Sequence, residues 1–395
     1  MFEKSPTLPP DPILSVKQAF DADQNPKKID LGVGIYRDES GVCPMMPSVR
    51  QAEVALMAEE YSKAYVGVRG NDKFLTLVQE MIFKDLAQTR PIFSIQGLGG
   101  TGSLRVIFDT IAELLAGREV ILTKPTWPNH KALFSREGFK LTEVDYDMSG
   151  DAEAGAQAFI AGVKACGDGG AIVLHGCCHN PTGLDLPESA YGDLIETLRA
   201  KNIFPILDLA YFGFARGFDQ DTSMVRAFHE AGLEYALAFS CSKSFGLYRE
   251  RVGAAYFVGN DAQHVRSLGT LVVSKSRANY SMPPDFGAAL VAGLLSDTAL
   301  TAQWKTELTG MRDRLTALRG ALIERFDARN IPQQFSASVA GYGLFSLLPL
   351  KPEEVKALAE QHSIYMPSNG RINLSGLTEQ TIPTVCDALT EVVRS

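Results

Sequence analysis

Six short apolar or β-branched runs mark the middle of the chain: Glu119–Thr123, Lys140–Tyr146, Ala171–His175, Phe204–Leu209, Ala236–Ser240 and Ala254–Val258. Helical stretches separate them. Runs of five to seven such residues alternating with helices predict an α/β domain built on a mostly parallel sheet. Further on, Thr301–Arg329 is charged, amphipathic and poor in glycine, and it predicts one extended helix. Gly341–Leu350 then reads as a strand and Pro352–Gln361 as a helix, in a tail whose mixed elements end near Glu391 and form a smaller α+β unit. At the start of the chain, Pro6, Pro9, Pro10 and Pro12 oppose a helix and predict an irregular arm, either frayed or laid against a partner subunit. A short helix is expected from Asp11 to about Ala22, and Ile29–Gly34 reads as a strand entering a glycine turn.

Length sharpens this picture, since 395 residues are too many for one small core and suit two domains. With 45% hydrophobic and 21% charged residues, the chain has the balance of an ordinary globular protein. The formal charge of −8 comes without a dense Lys/Arg stripe, so a nucleic-acid partner is not expected. Six cysteines in this length, with Cys177 and Cys178 adjacent, do not make a disulfide scaffold and favour a reducing cytoplasm. The polar, proline-broken Met1–Pro6 lacks the pattern of a secretion signal, and no apolar run reaches the roughly 18 residues of a membrane span. The chain holds no internal repeat and no low-complexity tract.

The unusual polar residues sit where the runs end, which in a doubly wound sheet is where ligands bind. Ala171–His175 leads into Gly176-Cys177-Cys178-His179-Asn180-Pro181-Thr182-Gly183, and Phe204–Leu207 into Asp208-Leu209-Ala210-Tyr211. Ala236–Phe239 leads into Ser240-Cys241-Ser242-Lys243-Ser244-Phe245-Gly246, and Glu119–Thr123 into Lys124-Pro125-Thr126-Trp127-Pro128-Asn129-His130. An amide, a carboxylate, a phenol, an amine and an indole gathered at one place suit a pyridine aldehyde phosphate: the amine for the aldehyde, the carboxylate for the ring nitrogen, the phenol and amide for the 3-oxygen, the indole for a ring face. A glycine-rich segment, Gln96–Arg105, precedes a helical pattern running to Leu115 and offers backbone amides to a phosphate, with Ser240, Ser242 and Arg251 able to add hydroxyls and a guanidinium. Gly97-x-Gly99-x-x-Gly102 also satisfies the dinucleotide fingerprint, but the next run ends in Lys124-Pro125 rather than the acidic residue a ribose needs. His175 and His179 beside Cys177 and Cys178 lack the usual separation of a metal site, so no metal is expected. Those two cysteines and Cys241 read as buried small hydrophobes.

Taken together, Trp127-Pro128-Asn129-His130, His175–Gly183, Asp208-x-Ala210-Tyr211 and Ser240-x-Ser242-Lys243-x-Phe245-Gly246-Leu247-Tyr248-x-Glu250-Arg251 closely resemble class I aminotransferases dependent on pyridoxal 5'-phosphate (PLP), in particular the aspartate/aromatic branch. The likeness runs in family order from Asp11-Pro12-Ile13-Leu14 to Gly370-Arg371-Ile372-Asn373. It implies fold type I: a large PLP-binding domain over 44–310 with a mostly parallel seven-stranded sheet, a smaller α+β domain from 12–43 and 311–395, and an arm over 1–11. It also implies a homodimer with shared active sites, small-molecule amino acids and 2-oxo acids as partners, and no membrane.

Position by position, the resemblance makes Lys243 the Schiff-base lysine and proton carrier, Asp208 the partner of the pyridinium nitrogen with His130 behind it, and Tyr211 and Asn180 the ligands of the 3-oxygen. Trp127 packs on the ring, while Gly100, Thr101, Ser240, Ser242 and Arg251 hold the phosphate with Tyr65 from the other subunit. Arg371 binds the substrate α-carboxylate with Asn180 and the backbone near Gly34; Trp127 also lines the substrate side. Arg277 reaches the neighbouring site to bind a distal carboxylate. Two separate arginines suit a dicarboxylate, because each guanidinium grips one planar anion bidentately. Where aspartate-devoted members usually have asparagine, this chain has Ala64 and Met282. The loss of both amides implies a pocket shifted toward aromatic or bulky substrates, with glutamate/2-oxoglutarate still accepted. Alternatives are an aspartate aminotransferase proper or a PLP-dependent lyase on the same fold. A PLP-sensing transcription regulator is not expected, since the enzyme-like pattern begins at Asp11.

Overall fold

The computed structural model describes residues 2–5, 12–59 and 62–394. Of the arm expected over 1–11, Phe2–Lys4 forms a single 3₁₀ turn, and residues 6–11, including the expected helix start Asp11, lie outside the described residues. The described residues form strands β1 (Ile29–Asp30), β2 (Ile92–Leu98), β3 (Glu119–Lys124), β4 (Lys140–Asp145), β5 (Ala171–His175), β6 (Phe204–Leu209), β7 (Tyr235–Ser240), β8 (Val252–Val258), β9 (Phe345–Leu347), β10 (Ile364–Tyr365) and β11 (Arg371–Asn373).

Contacts divide the chain into two compact units. The larger holds Pro44–Asn180 and Leu184–Arg314, and the smaller holds Met1–Cys43, Pro181–Gly183 and Leu315–Ser395. Their junction falls at Arg314–Leu315, inside the helix Thr298–Ala328, and the short Pro181–Gly183 stretch goes with the smaller unit.

In the larger unit one seven-stranded sheet runs in the order β2-β8-β7-β6-β5-β3-β4. All pairings are parallel except those of β8, which is antiparallel to both β2 and β7. Strands β5, β7 and β8 are buried at every position, as expected for strands with helices on both faces, whereas the edge strand β4 exposes Lys140, Glu143 and Asp145. Ile95, Val120, Val173, Ile206, Ala238 and Ala255 of the sheet close a core with Leu104, Ile107 and Phe108 of the helix Gly99–Ile111 and Val272 of the helix Ala262–Tyr280.

Within this sheet β2 is the strand the periodicity does not single out, because Ser94, Gln96 and Gly97 break its apolar run. Its seven-residue register with β8, from Ile92↔Val258 to Leu98↔Val252, holds it regardless. Gln96 is buried there, its Nε2 donating to the Pro284 carbonyl (2.8 Å) and its Oε1 accepting from the Asn71 amide (2.9 Å). The segment expected to be a glycine loop is therefore a strand end followed at once by a helix, which stops at Ile111 rather than Leu115.

The smaller unit pairs β1 with β10 in parallel and β9 with β11 antiparallel. Two expected strands are shorter than their patterns. Asp30 accepts from the Gly32 amide (2.9 Å) and bends the chain away after β1. Arg319, buried on the long helix, donates to the carbonyls of Val339, Tyr342, Gly343 and Phe345 and so takes acceptors a longer β9 would have used. No helix among the described residues is long and apolar enough to cross a membrane.

Candidate active site

Because β5, β6 and β7 are parallel and in close register, their carboxyl ends reach the same level: His175 lies opposite Asp208, and Asp208 opposite Ala238. The segments that follow enclose a cavity of about 220 Å³ lined by Gly100, Thr101, Trp127, His175, Asn180, Asp208, Ala210, Tyr211, Ser240, Ser242, Lys243 and Arg251. All belong to the larger unit. Every cofactor residue named from the sequence is among them except Tyr65, which stands 92% exposed. His175 and Ala210 are additions. Sequence reading had weighed His175 only as a metal ligand, although its place at the end of a buried run, one strand from Asp208, was the available signal.

Asp208 is buried and accepts from His130 Nε2 at 3.2 Å, while His130 Nδ1 lies 2.8 Å from Thr126 Oγ1. With Nε2–H donating to the carboxylate, Nδ1 accepts from the threonine hydroxyl, and this chain of donors fixes the tautomer. Burial pushes the Asp208 carboxyl up, but the His130 hydrogen bond, with Lys243 adding to it, outweighs burial and holds the pKa below the ordinary aspartate range. The group is thus a carboxylate facing the cavity. His175, tilted against His130 with ring centroids 5.1 Å apart, is kept neutral: burial lowers its pKa to about 3, with His130 adding to the effect. His130, His175 and Asp208 lie close enough for a metal ion, yet both ring nitrogens of His130 are already committed to Thr126 and Asp208.

Lys243 sits in the four-residue helix Cys241–Ser244 that follows β7, its Nζ 5.0 Å from the centre of the Tyr211 ring. Asn180 Nδ2 reaches the Tyr211 hydroxyl at 3.4 Å, and Asn180 Oδ1, buried, has no hydrogen-bond partner among the described residues. Such an orphaned acceptor costs about 1–3 kcal/mol unless a ligand meets it. Opposite, the helix Gly99–Ile111 begins at the cavity with no side-chain cap on its first amides. Ser240 and Ser242 bring hydroxyls, and Arg251 Nη1 lies 3.4 Å from Ser242 Oγ. Arg251 holds its guanidinium there from a left-handed backbone (φ 54°), a conformation that costs a non-glycine residue about 1–2 kcal/mol. At Gly100 a Cβ would approach the Ser240 Cβ to 3.2 Å, so a side chain would crowd this cradle.

An uncapped helix start, three hydroxyls and a guanidinium fit a phosphate. A carboxylate, a primary amine, a phenol and an unsatisfied amide, with the Trp127 indole beside them, fit a protonated pyridine aldehyde. The residues present therefore fit PLP.

Of the residues expected at the substrate, Trp127 and Asn180 line this cavity. Arg371, on β11 of the smaller unit, is buried; its Nη2 donates to the Gly32 carbonyl (2.8 Å) and its guanidinium lies 4.4 Å from the centre of the Phe345 ring. A Cβ on Gly34 would meet that same ring at 3.6 Å. Arg277 is exposed near the end of the helix Ala262–Tyr280, Ala64 is exposed, and Met282 is half-buried.

The sequence pattern of the family "Aminotransferase class I and II" matches residues 26–389. The chain is 37% identical over 396 residues to the aspartate aminotransferase of Salmonella typhi, covering 100% of both chains. It is 36% identical to the aromatic-amino-acid aminotransferase of Pseudomonas aeruginosa, covering 99% of this chain and 98% of that one. Among solved structures it is similar to the aromatic-amino-acid aminotransferase of Burkholderia pseudomallei covalently bound to pyridoxal phosphate, with a TM-score of 0.94, 35% identity and 99% coverage of each chain.

Proposed function

The chain belongs to the class I and II aminotransferases and is a PLP-dependent transaminase of their aspartate/aromatic branch; from that premise we propose that it works in the cytoplasm as a homodimer, passing amino groups by ping-pong turnover between aromatic or dicarboxylic L-amino acids and 2-oxo acids such as 2-oxoglutarate. Aromatic substrates are the preferred class, since Ala64 and Met282 supply no amide to order a distal arginine. The observation that carries this reading is the convergence of the Lys243 amine, the Asp208 carboxylate and an anion cradle on one cavity.

Bound there, PLP supplies an electron sink for the negative charge that develops at the substrate α-carbon. Lys243 Nζ would be the base that takes and returns the substrate's α-proton. Asp208, kept ionised by His130, holds the ring nitrogen protonated. Tyr211 and Asn180 would hold the 3-oxygen, and Trp127 would lie beside the ring. Gly100, Thr101, Ser240, Ser242 and Arg251 hold the phosphate. Arg371 grips the substrate α-carboxylate, and its bonded, stacked guanidinium supports this role because little side-chain freedom is left to lose.

Tyr65 and Arg277 serve the neighbouring protomer's site, Tyr65 at the phosphate and Arg277 at a distal carboxylate. The exposure of Tyr65 (92%), Met57 (72%) and Val54 (60%) supports a covered face, as apolar side chains this bare are common at interfaces. None of the six cysteines forms a disulfide, which suits a reducing compartment.

The test is a half-reaction titration of the purified holoenzyme. The bound cofactor's visible absorbance is followed as aspartate, glutamate, phenylalanine, tyrosine and tryptophan are added separately. Larger rate constants for the aromatic amino acids than for aspartate are expected; the reverse order would make it an aspartate enzyme, and release of ammonia would point to a lyase.

A further inference from the structure

Lys243 stands in a helix of only four residues, Cys241–Ser244. One turn cannot hold its own direction, because it fixes several backbone dihedrals for very few internal bonds. Its orientation must come from outside. At the start, the Ser242 amide donates to Ser240 Oγ (3.3 Å). At the end, Ser244 Oγ donates to the Phe212 carbonyl (2.7 Å), and the Ser244 carbonyl accepts from the indole of Trp304 (Nε1, 2.8 Å). The next residue, Phe245, lies flat on the same indole, with ring centroids 4.5 Å apart and planes 6° from parallel.

Trp304 is fully buried and belongs to the helix Thr298–Ala328, which is itself pinned one turn later: Glu307 accepts from the amide (3.1 Å) and the hydroxyl (2.6 Å) of Ser48. Behind the indole lies Phe218, at 5.4 Å between centroids. Any buried indole needs an acceptor for its N–H; what distinguishes this one is which groups it meets. Here its single donor goes to the residue after Lys243 and its face to the residue after that.

We infer that Trp304 is a positioning residue for transamination: through the Ser244 carbonyl and the Phe245 ring it sets the direction in which the turn presents Lys243 Nζ. The inference rests on the reading of Lys243 as proton carrier. A proton carrier acts only within hydrogen-bond reach of its target, and a displacement of about 1 Å costs on the order of a hundredfold in rate.

Trp304→Phe keeps a ring for Phe245 and removes the N–H. In the PLP-loaded dimer, kcat is expected to fall about tenfold, equal to about 1.4 kcal/mol. KM values for amino acid and oxo acid should hold, and the pH midpoint of the cofactor's visible absorbance should move, since the environment of the Lys243 amine changes. Phe245→Leu, which removes the stack and keeps the indole hydrogen bond, should move the same two readouts. Phe218→Leu loosens the far side of the indole and its own packing on the Phe212 ring, but removes no hydrogen bond or stack of the turn, and should lower only the melting temperature. Wild-type kcat and absorbance midpoint in folded Trp304→Phe would overturn the inference, as would an equal loss in Phe218→Leu. If Trp304→Phe does not accumulate, Phe245→Leu decides by the same two readouts. Failure of the underlying reading is a separate result: Lys243→Ala would then keep its turnover.

Discussion

Around Lys243 the side chains are buried and joined to one another, from Thr126 through His130 to Asp208, and from Asn180 to Tyr211. Arg277 and Tyr65, assigned to the distal carboxylate and the phosphate, are exposed on their own chain. On the proposed reading, one chain supplies the wall that suits the cofactor except for Tyr65, while Arg277, the group that would select a dicarboxylate, would act in a neighbour's site. On that reading chemistry and selectivity would be built by different means: the first by strand register within one sheet, the second by assembly. Substrate preference can then change through residues such as Ala64 and Met282 without disturbing the wall.

Four measurements break or sharpen this contrast, beginning with the largest effect. Lys243→Ala should lower steady-state transamination by at least about 10⁴-fold, the upper range for a general acid–base group, while PLP stays with the protein through gel filtration. Asp208→Asn comes next: losing one partner of a buried charge pair costs about 2–5 kcal/mol, read as a drop in kcat for aromatic and dicarboxylic substrates alike. Arg277→Ala should act selectively, lowering kcat/KM for glutamate by about 2–4 kcal/mol and for phenylalanine by less than about twofold. Equal losses for both substrates would remove the contrast.

The smallest effect concerns the turn that carries Asn180. Asp185 is half-buried and accepts from the amides of Cys178 (3.0 Å) and His179 (2.8 Å), and desolvation raises its pKa to about 6. Its folded value lies above the unfolded one, so the folded state binds this proton more tightly. The stability it contributes is complete below about pH 4 and is lost as pH rises through about 6, by up to about 2–3 kcal/mol. Asp185→Asn should flatten that part of the urea-midpoint profile between pH 4 and 7. Asp208 has the opposite sign: its depressed pKa contributes stability above the ordinary aspartate value, lost as pH falls through the folded one.

Much of this was legible in the chain because the chemistry sits beside strong local signals. β5, β6 and β7 are apolar runs, and each ends in a segment whose polar residues line the cavity: Asn180, then Asp208 and Tyr211, then Ser240, Ser242 and Lys243. Less legible were elements whose reason lies across the fold. Strand β2 carries Gln96 and Gly97 and shows no clean run, yet seven residues of pairing with β8 decide it. The pattern over Gly341–Leu350 looked like a full strand, but the Arg319 guanidinium claims several of its carbonyls and leaves only Phe345–Leu347.

By itself the sequence determined the alternation of helices and strands, the place of the chemistry at the strands' carboxyl ends, and the residues that suit a PLP site. Periodicity and turn chemistry act over a few residues, so both survive in one dimension. Only the tertiary structure decided that His175 lines the cavity and that Trp304 meets the turn holding Lys243 from 60 residues away. Those contacts join residues far apart in the chain, and a hydrogen bond between such residues leaves no periodic trace in either segment.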